Sequence, residues 1–213
     1  MLSSPILNQP ISPYLQSPSK RIFDLTIGIL LLILSFPLFL IISLLVLITS
    51  GTPIIFTQKR TGKNNKPFYI FKFRTMIRGA PQQQWRYLKK NQADGPVFKI
   101  KNDPRFIGIG RRLANSGLDE LPQLINVVRG DMSLVGPRPL PTSEAKKIAA
   151  KYQTRHLVRP GITSTWVVSG AHDLSFADWM KLDHQYLKSA TFKTDLLTLI
   201  HTFKIISHML LPS

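Results

Sequence analysis

Residues 25–50 form a run of 26 residues without a charged side chain, and this run limits most what the chain can fold into. As a straight α-helix it would be about 39 Å long, whereas the hydrocarbon core of a bilayer is about 30 Å thick. A secretory signal peptide would have a shorter apolar region, followed at once by a small-x-small cleavage site. The run is therefore predicted to be a membrane segment.

The apolar run is interrupted near its middle by Ser35-Phe36-Pro37. A proline inside a helix removes a backbone hydrogen bond and bends the helix, and a nearby Ser side chain can bond a carbonyl that the bend frees. Each half is then about 12 or 13 residues long, which is too short to cross a bilayer alone. Ser35 and Pro37 are therefore the predicted membrane break.

Both flanks of the apolar run are basic, with Lys20 and Arg21 before it and Lys59 and Arg60 after it. Basic flanks tend to remain on the cytoplasmic side of a membrane. Basic residues at both ends favour a re-entrant helix–break–helix whose ends both return to the cytoplasm. A proline-kinked helix that spans the bilayer is the alternative, since spanning helices tolerate Pro.

The whole chain is predicted to have an α+β fold, with a helix–break–helix membrane anchor over residues 20–51 and a small, mostly helical domain over residues 52–213. Residues 1–19 contain four Pro, five Ser and no acidic residue, and are predicted to be a mostly disordered tail. Short apolar stretches at residues 54–57 and 68–73 predict two strands, joined by a basic turn into a β-hairpin beside the membrane.

Five later segments complete the predicted domain. Residues 77–95 indicate either a short interfacial helix, with Trp and Tyr at headgroup level, or an ordinary surface helix. Residues 144–156 read as an amphipathic helix, and residues 163–169 as a strand. Apolar residues at helical spacing predict helices over residues 176–187 and 195–211, and the last of these is expected to lie on the membrane or to pack against the anchor.

The net charge of the chain is +17, and its strongest concentration lies in residues 59–112, where fifteen Lys and Arg face two Asp for a net +13. Such a surface predicts an anionic partner: nucleic acid, anionic lipid or a phosphorylated small molecule. The chain has no Cys, which excludes thiol catalysis, disulfides and a Cys-based zinc site.

Asp119 and Glu120 form an adjacent acidic pair, the dyad, just beyond this basic segment. In so positive a field both carboxylates are expected to be strongly ionised, and therefore to be candidates for a nucleophile or for Mg²⁺ ligands. The alternative is an ordinary pair of acids in the first turn of a helix, where they suit the helix dipole. A capping-box spacing starts that helix at Ser116, whereas Pro122 argues for a later start.

The loop Gly136-Pro137-Arg138-Pro139 follows the dyad helix. Its Gly and Pro residues are expected to fix Arg138 in space, and a rigidly held Arg suits bidentate recognition of a phosphate.

With these pieces in order, the chain resembles the bacterial sugar transferase family of monotopic phosphoglycosyl transferases from about residue 20 to residue 203. No single motif is specific, but so many in the same order identify the family. The motifs are Lys20-Arg21-x-Phe23-Asp24, Phe56-Thr57-Gln58-Lys59-Arg60-x-Gly62, Lys72-Phe73-Arg74-Thr75-Met76, Asp103-Pro104-Arg105, Leu118-Asp119-Glu120-Leu121-Pro122-Gln123-Leu124, Gly130-Asp131-Met132-Ser133-Leu134-Val135-Gly136-Pro137-Arg138-Pro139, Pro160-Gly161-Ile162-Thr163, Leu182-Asp183-x-x-Tyr186 and Asp195-Leu196.

The resemblance implies that the anchor over residues 20–51 is re-entrant and that residues 52–213 form a catalytic domain at the cytoplasmic face. It also implies transfer of a sugar-1-phosphate from a UDP-sugar to polyprenol phosphate at the cytoplasmic face of the bacterial inner membrane. Asp119 would attack the β-phosphate, and Glu120 would assist with the metal or with proton handling. Mg²⁺ would be held by Asp119 and Glu120. Family positions for substrate or phosphate binding fall on Lys72, Pro137, Arg138 and Asp195. The resemblance implies membrane lipids as partners and no nucleic acid, and it leaves a homodimer open.

Three positions depart from the family pattern. The family usually has Arg where this chain has Ala114 and Ala171, and Ser where it has Gly117. Arg111 or Arg112, roughly one turn upstream of Ala114, would supply the missing charge near the phosphate. The alternative is a catalytically weakened member that acts as a membrane-bound partner protein in glycan assembly.

Overall fold

The computed structural model describes residues 11–170 and 174–210. In these two stretches, a pair of apolar helices packs against a domain that contains short helices and two separate two-stranded sheets. The predicted α+β fold class is confirmed at this level.

The apolar run folds into two helices, α1 (Pro18–Leu34) and α2 (Phe36–Ser50), which meet at Ser35 with a bend of 58°. The break thus lies two residues before Pro37, which occupies the first turn of α2, where a missing N–H is tolerated. In the described part of the chain no single helix is long and apolar enough to cross a membrane, but α1 and α2 together are.

The helix pair has two different faces. On the inner face, Ile42 and Val46 of α2 are fully buried against Phe73 and Leu113 of the domain. The outer face consists of large apolar side chains that are more than half exposed: Ile33, Leu34, Phe36, Leu40, Leu44 and Ile48. One side therefore fastens the pair to the domain, and the other presents a surface suited to lipid.

Residues 11–19 are packed against the domain. The backbone N–H and the hydroxyl of Ser12 donate to the carbonyls of Leu187 and Ala190, at 2.8 and 2.6 Å. A 3₁₀ turn at Pro13–Gln16 follows and leads directly into α1. The disordered tail that the sequence predicts for residues 1–19 therefore does not extend over residues 11–19, while residues 1–10 lie outside the described part.

The predicted β-hairpin is confirmed as β1 (Ile55–Thr61) paired antiparallel with β2 (Pro67–Phe73). β1 continues four residues beyond its predicted end, so the turn is shorter than expected. Asn64 and Asn65 make the turn with φ of 54° and 59°, a conformation that Asn tolerates better than most residues. The hairpin brings Lys72, near the end of β2, towards the dyad.

A single 3₁₀ helix, Gln84–Lys90, is the helical element in the predicted interfacial segment. Trp85 and Leu88 on it are well exposed. Exposed apolar side chains beside Lys89 and Lys90 suit a membrane interface, but an ordinary surface helix would look the same.

The middle of the chain alternates short helices and strands. α3 (Gly110–Ser116) and α4 (Gln123–Arg129) flank the dyad, and β3 (Ser133–Val135) pairs in parallel with β4 (Gly161–Thr163). Gly130 ends α4 in the left-handed region, as predicted. This arrangement places the loop of residues 136–139 at the carboxyl end of β3.

Two segments differ from their predicted structure. Residues 144–156 do not form the continuous helix that the sequence predicts. They belong to a short α5 (Thr142–Ala145) and to a 3₁₀ helix, Ala150–Leu157. Near the end of this 3₁₀ helix, Arg155 is buried and makes hydrogen bonds to Asp183 and to the Arg138 carbonyl. The strand predicted over residues 163–169 ends at Thr163.

A short helix, α6 (Thr165–Val168), follows that strand. The β-branched Thr and Val residues favour a strand, but here Trp166 packs its ring on Trp179, with ring centroids 4.6 Å apart. A tertiary contact therefore overrides the local preference.

The last two helices, α7 (Phe176–Ser189) and α8 (Phe192–Leu210), confirm the predictions for those segments. The first residue of α8 packs on the anchor, where the ring centroids of Phe192 and Phe23 lie 5.1 Å apart. Beyond that contact its apolar side chains, Phe203 above all, face outwards, while Asp195 is buried. α8 thus presents exposed apolar side chains, as the outer face of the anchor does.

Candidate active site

Asp119 and Glu120 lie in a one-turn 3₁₀ helix, Leu118–Glu120, between α3 and α4. Gly117 ends α3 with a φ of +73°, and Pro122 then forces α4 to begin at Gln123. The later helix start indicated by Pro122 is therefore correct, and the capping box at Ser116 does not form. The dyad consequently lies in a short 3₁₀ turn between the α-helices α3 and α4, and not inside either of them.

Two cations from distant parts of the chain converge on Glu120. Lys72 Nζ is 2.6 Å from Glu120 Oε1 and 3.6 Å from Asp119 Oδ2. Arg138 NH2 is 2.9 Å from the same Oε1. The structure thus brings together four predicted site residues, which we call the dyad cluster: Lys72, Asp119, Glu120 and Arg138.

The two carboxylates of the dyad have opposite pKa shifts. Burial raises the pKa of Asp119 to about 6, aided by the charge of Glu120 and opposed by Lys72. Burial also acts on Glu120, but the charges of Arg138 and Lys72 outweigh it and lower its pKa to about 2. The prediction that both carboxylates are strongly ionised is therefore correct for Glu120 only. Asp119 is still mainly ionised at pH 7, and its higher basicity makes it the better nucleophile of the two.

The loop that carries Arg138 is held at successive backbone carbonyls. Arg155 NH2 donates to the Arg138 carbonyl at 2.9 Å, and Arg60 NH1 to the Pro139 carbonyl at 3.0 Å. Arg155 is itself fixed by Asp183, at 2.7 Å. These contacts give the loop the rigidity that its Gly and Pro content predicts.

A close backbone approach locks the start of the same loop. A Cβ on Gly136 would lie 2.7 Å from the Arg159 carbonyl, and one on Gly161 would lie 2.1 Å from the Gly136 nitrogen. Only glycine fits at both positions. Pro137, a predicted binding residue, is buried here, and its carbonyl accepts a hydrogen bond from Gly161 N.

Asp195, predicted with the phosphate-binding residues, lies in a second buried group. Its carboxylate accepts hydrogen bonds from Lys20 at 2.6 Å, Tyr186 at 2.8 Å and Tyr14 at 3.0 Å. Lys20 also binds Asp24, at 3.0 Å. We call this group the anchor cluster: Tyr14, Lys20, Asp24, Tyr186 and Asp195. The structure does not bring Asp195 together with the dyad.

The anchor cluster nevertheless touches the loop of the dyad cluster. Lys20 Nζ donates to the carbonyl of Val135 at 3.3 Å. The Tyr186 hydroxyl lies 3.0 Å from the same carbonyl and shares its one proton between it and Asp195. Val135 is the last residue of β3, three positions before Arg138. Asp195 is therefore placed to position the loop and is not exposed to a substrate.

Arg111 and Arg112, the predicted substitutes for the missing family arginine, are exposed on α3. Neither guanidinium group makes a hydrogen bond or ion pair within residues 11–170 and 174–210. They remain free cations near the dyad and are not part of the dyad cluster. Ala171, the position of the second missing arginine, lies outside the described residues.

Sequence reasoning missed two residues that line a cleft beside the dyad cluster. Arg60 and Gln123 border it together with Lys72, Glu120 and Arg138. Both occur in the family motifs, but nothing in the sequence distinguishes them from neighbouring residues. Arg155 and Asp183 were missed as supports for the loop, because their pairing depends on how α7 packs.

The comparisons with known proteins decide the family. The model for the bacterial sugar transferases matches residues 15–209. The chain belongs to the bacterial sugar transferase family. This agrees with the resemblance drawn from the motifs. The match covers the dyad cluster, all of the anchor cluster except Tyr14, and nearly all of the described structure.

Similar proteins are named for sugar phosphotransfer or for exopolysaccharide production. The chain is similar to the undecaprenyl-phosphate galactose phosphotransferase of Salmonella typhimurium, with 36% identity over 88% of this chain and 40% of the relative. It is also similar to the exopolysaccharide production protein ExoY of Sinorhizobium fredii, with 38% identity over 86% of this chain and 83% of the relative. A third relative is the undecaprenyl-phosphate glucose phosphotransferase of Komagataeibacter xylinus, with 36% identity over 87% of this chain and 35% of the relative. The chain thus spans well under half of the Salmonella and Komagataeibacter relatives.

The departures from the family pattern can now be placed. Ala114 is partly buried on α3, one turn before the dyad. Gly117 has a left-handed backbone that favours glycine, so the missing Ser there is matched by the local geometry.

The residues at the dyad fit a divalent metal that is bound jointly by the protein and by a phosphorylated substrate. No group of three or more His, Asp or Glu side chains converges anywhere in the described parts of this family member. Mg²⁺, however, commonly binds through one or two carboxylates together with phosphate oxygens of the substrate. Asp119 and Glu120 supply two such carboxylates at the edge of the cleft.

Proposed function

We propose that this chain transfers a sugar-1-phosphate from a UDP-sugar to a polyprenol phosphate, such as undecaprenyl phosphate, through a covalent phosphosugar on Asp119. The contrast within the dyad carries the proposal. Glu120 is bound closely by two cations, whereas Asp119, buried beside them, has Lys72 at 3.6 Å as its nearest ion-pair partner in the described residues. The names of the relatives support the same reaction class.

In the first step an oxygen of the Asp119 carboxylate attacks the β-phosphorus of the UDP-sugar. A bond forms between that oxygen and phosphorus, and the bond from phosphorus to the α-phosphate oxygen breaks. UMP leaves with the electron pair. An ionised Asp needs no base to activate it, but the phosphate that it attacks must be neutralised.

In the second step an oxygen of the polyprenol phosphate attacks the same phosphorus. The bond to the Asp119 oxygen breaks, which restores the carboxylate and releases polyprenyl-diphosphate-sugar. Two displacements at one phosphorus predict ping-pong kinetics.

The other members of the dyad cluster supply charge. Lys72 lies within 4 Å of both carboxylates and Arg138 is held by Glu120, so both cations are fixed before the substrate arrives. Preorganised charges of this kind stabilise a phosphoryl transition state without reorganising during the reaction. Arg111 and Arg112 are proposed to add positive charge at the outer edge.

Asp119 and Glu120 would hold Mg²⁺, which supplies Lewis-acid neutralisation of the diphosphate when it is bound. The lone pairs of Glu120 that face Lys72 and Arg138 are already engaged. Glu120 therefore acts by holding charge in place, and its role in proton handling is secondary. Pro137 and Asp195 are proposed to act through the loop and not by contact with phosphate.

The bent helix pair is proposed to enter one leaflet and return, with the domain at the cytoplasmic face of the bacterial inner membrane. The outer apolar face of α1 and α2 and the basic residues on both sides support this placement. The chain has no Cys, so single cysteines can be introduced for labelling without a background. Cysteines at residue 3 and at Lys63 should react with an impermeant reagent from the same side of the membrane. Reaction from opposite sides would show a spanning helix.

A weakened member that assists another transferase is the second candidate, and Ala114 is the observation that favours it. The dyad cluster is complete without an arginine at that position, which favours an active enzyme.

The function is tested with the full chain in detergent and a panel of UDP-sugars labelled in the sugar. Without acceptor, one of them should label the protein at Asp119 and release an equal amount of UMP. Adding polyprenol phosphate should then discharge the label into lipid. A chain that binds UDP-sugars but forms neither the labelled protein nor the lipid product would be the non-catalytic partner.

A further inference from the structure

The cleft beside the dyad cluster contains hydrogen-bond donors that the protein leaves unused. Gln123 is only 1% exposed, and its Nε2 has no hydrogen-bond partner among the described residues. Arg60 Nε is likewise buried without a partner. Buried polar groups are nearly always satisfied, and an unsatisfied one requires a specific explanation.

The cleft also has a surplus of positive charge. Arg60, Lys72 and Arg138 line it, and among the described lining residues Glu120 is the one acid. Asp119 and Glu144 act on these cations from outside the lining. Arg60 makes no ion pair with a carboxylate in the part of the chain that the structure describes, because Glu120 is taken by Lys72 and Arg138. Its two other donor nitrogens bind neutral oxygens, those of Pro139 and Gln58.

The environment of Arg60 is unfavourable as it stands. Burial and, after it, the neighbouring charge of Arg138 together lower the pKa of Arg60 to about 10, although the charges of Glu144 and Glu120 oppose this shift. A ligand that carries negative charge and several acceptor oxygens would offset the repulsion between Arg60 and Arg138. It would also accept from the unused N–H groups of Arg60 and Gln123.

We infer that Arg60 and Gln123 bind a second phosphate group, next to the one that Asp119 attacks. In the described residues neither side chain makes a hydrogen bond or an ion pair with Asp119, and the acids whose charges act on Arg60 are Glu144 and Glu120. A phosphate held there lies on the Glu120 side of the cleft. The inference rests on the proposed function, since only a diphosphate or two successive phosphate substrates would need two adjacent phosphate positions.

Two phosphates could occupy this position. The α-phosphate of the UDP-sugar would lie there during the first step and would leave with UMP. The phosphate of the polyprenol would enter afterwards, as the acceptor in the second step. Their chemistry is the same, so the binding of each must be measured separately.

The central variant is Gln123→Met, which keeps the length of the side chain and removes its donor. If the amide serves only the fold, the variant should be at least as stable and should bind ligands as before, because a buried unpaired group has been removed. If the amide binds phosphate, the thermal midpoint should stay level or rise while the Kd of the phosphate ligand rises about ten- to hundredfold. Arg60→Met should weaken the same ligand at least as much.

Binding is measured by calorimetry on the full chain in detergent, with UMP, with uridine and with polyprenol phosphate. Gln185→Met on the exposed side of α7 is the matched control, and it should leave all three unchanged. Weaker binding of UMP, with uridine unaffected, assigns the position to the nucleotide phosphate. Weaker binding of polyprenol phosphate assigns it to the acceptor.

Unchanged affinity for both phosphate ligands in Gln123→Met and Arg60→Met would overturn the inference, as would an unaltered chain that binds neither ligand. These measurements need no turnover. A chain that binds phosphate through Gln123 but never becomes labelled at Asp119 would count against the proposed function alone.

Discussion

The dyad cluster and the anchor cluster are built from the same kinds of residue but differ in how their charges are used. In the anchor cluster Lys20 binds both Asp24 and Asp195, and two tyrosines and a backbone N–H donate further hydrogen bonds to the two aspartates. In the dyad cluster the cations converge on Glu120, Asp119 is left with a more distant partner, and unused donors line the adjacent cleft.

This difference separates structural from functional charge. A buried ion network whose atoms are bound within the protein has no capacity left for a ligand, and its role is to hold elements together. A network with surplus charge and unused donors is completed by a substrate. The sequence placed Asp195 with Lys72 and Arg138, but the structure separates them on this criterion.

Removing charge from the dyad cluster should give the largest functional effect. Glu120→Gln keeps the shape of the side chain but releases Lys72 and Arg138 from their common carboxylate. We expect kcat/KM for transfer to fall by about 10²–10⁴, as for the loss of an electrostatic catalytic group. The thermal midpoint should change by no more than about 4 °C, because the cluster lies at the edge of a cleft. A large loss of stability with near-normal activity would make the dyad cluster structural.

Removing charge from the anchor cluster should have its main effect on stability. Lys20→Met leaves Asp24 and Asp195 buried without their shared cation, which typically costs about 3–5 kcal/mol of unfolding free energy. Lys181→Met is the control, since Lys181 pairs with Asp178 on the exposed side of α7 and its loss should not be resolvable. Denaturant unfolding of the full chain in detergent measures both. Equal midpoints for the two variants would contradict the structural role of Lys20.

The smallest effect is expected from restoring a family arginine. Ala114→Arg adds a cation one turn before the dyad, and we expect kcat/KM to rise by about two- to tenfold, the scale of an ordinary hydrogen bond. Ala149→Arg, at an exposed position before the 3₁₀ helix Ala150–Leu157, adds the same charge elsewhere. If both variants gain equally, general charge and not a site at residue 114 is responsible.

Much of the fold could be predicted because its signals are local. The hairpin follows from two apolar stretches around a basic turn, and α7 and α8 follow from helical spacing. The structure of residues 144–156 and 163–169 could not be predicted from the local pattern. It depends on contacts of Arg155 and Trp166 with residues of α7, which the local pattern does not reveal.

The site divides in the same way. Asp119, Glu120, Lys72 and Arg138 could be proposed from charge, motif and loop chemistry, and the structure brings them together. The position of Asp195 could not, because its bond to Lys20 joins residues 175 positions apart through the packing of α1 against α8. The unused donors of Arg60 and Gln123 become visible only when burial and hydrogen bonds are known.

The most direct test of the account compares Asp119→Asn with Asp195→Asn, each given the same labelled UDP-sugar without acceptor. Asp119→Asn should fold with a normal thermal midpoint and take up no label, because the attacking charge is gone. Asp195→Asn should lose stability yet still become labelled at Asp119 in the fraction that remains folded. Label on folded Asp119→Asn, or its complete loss from folded Asp195→Asn, would contradict the separation of the two clusters.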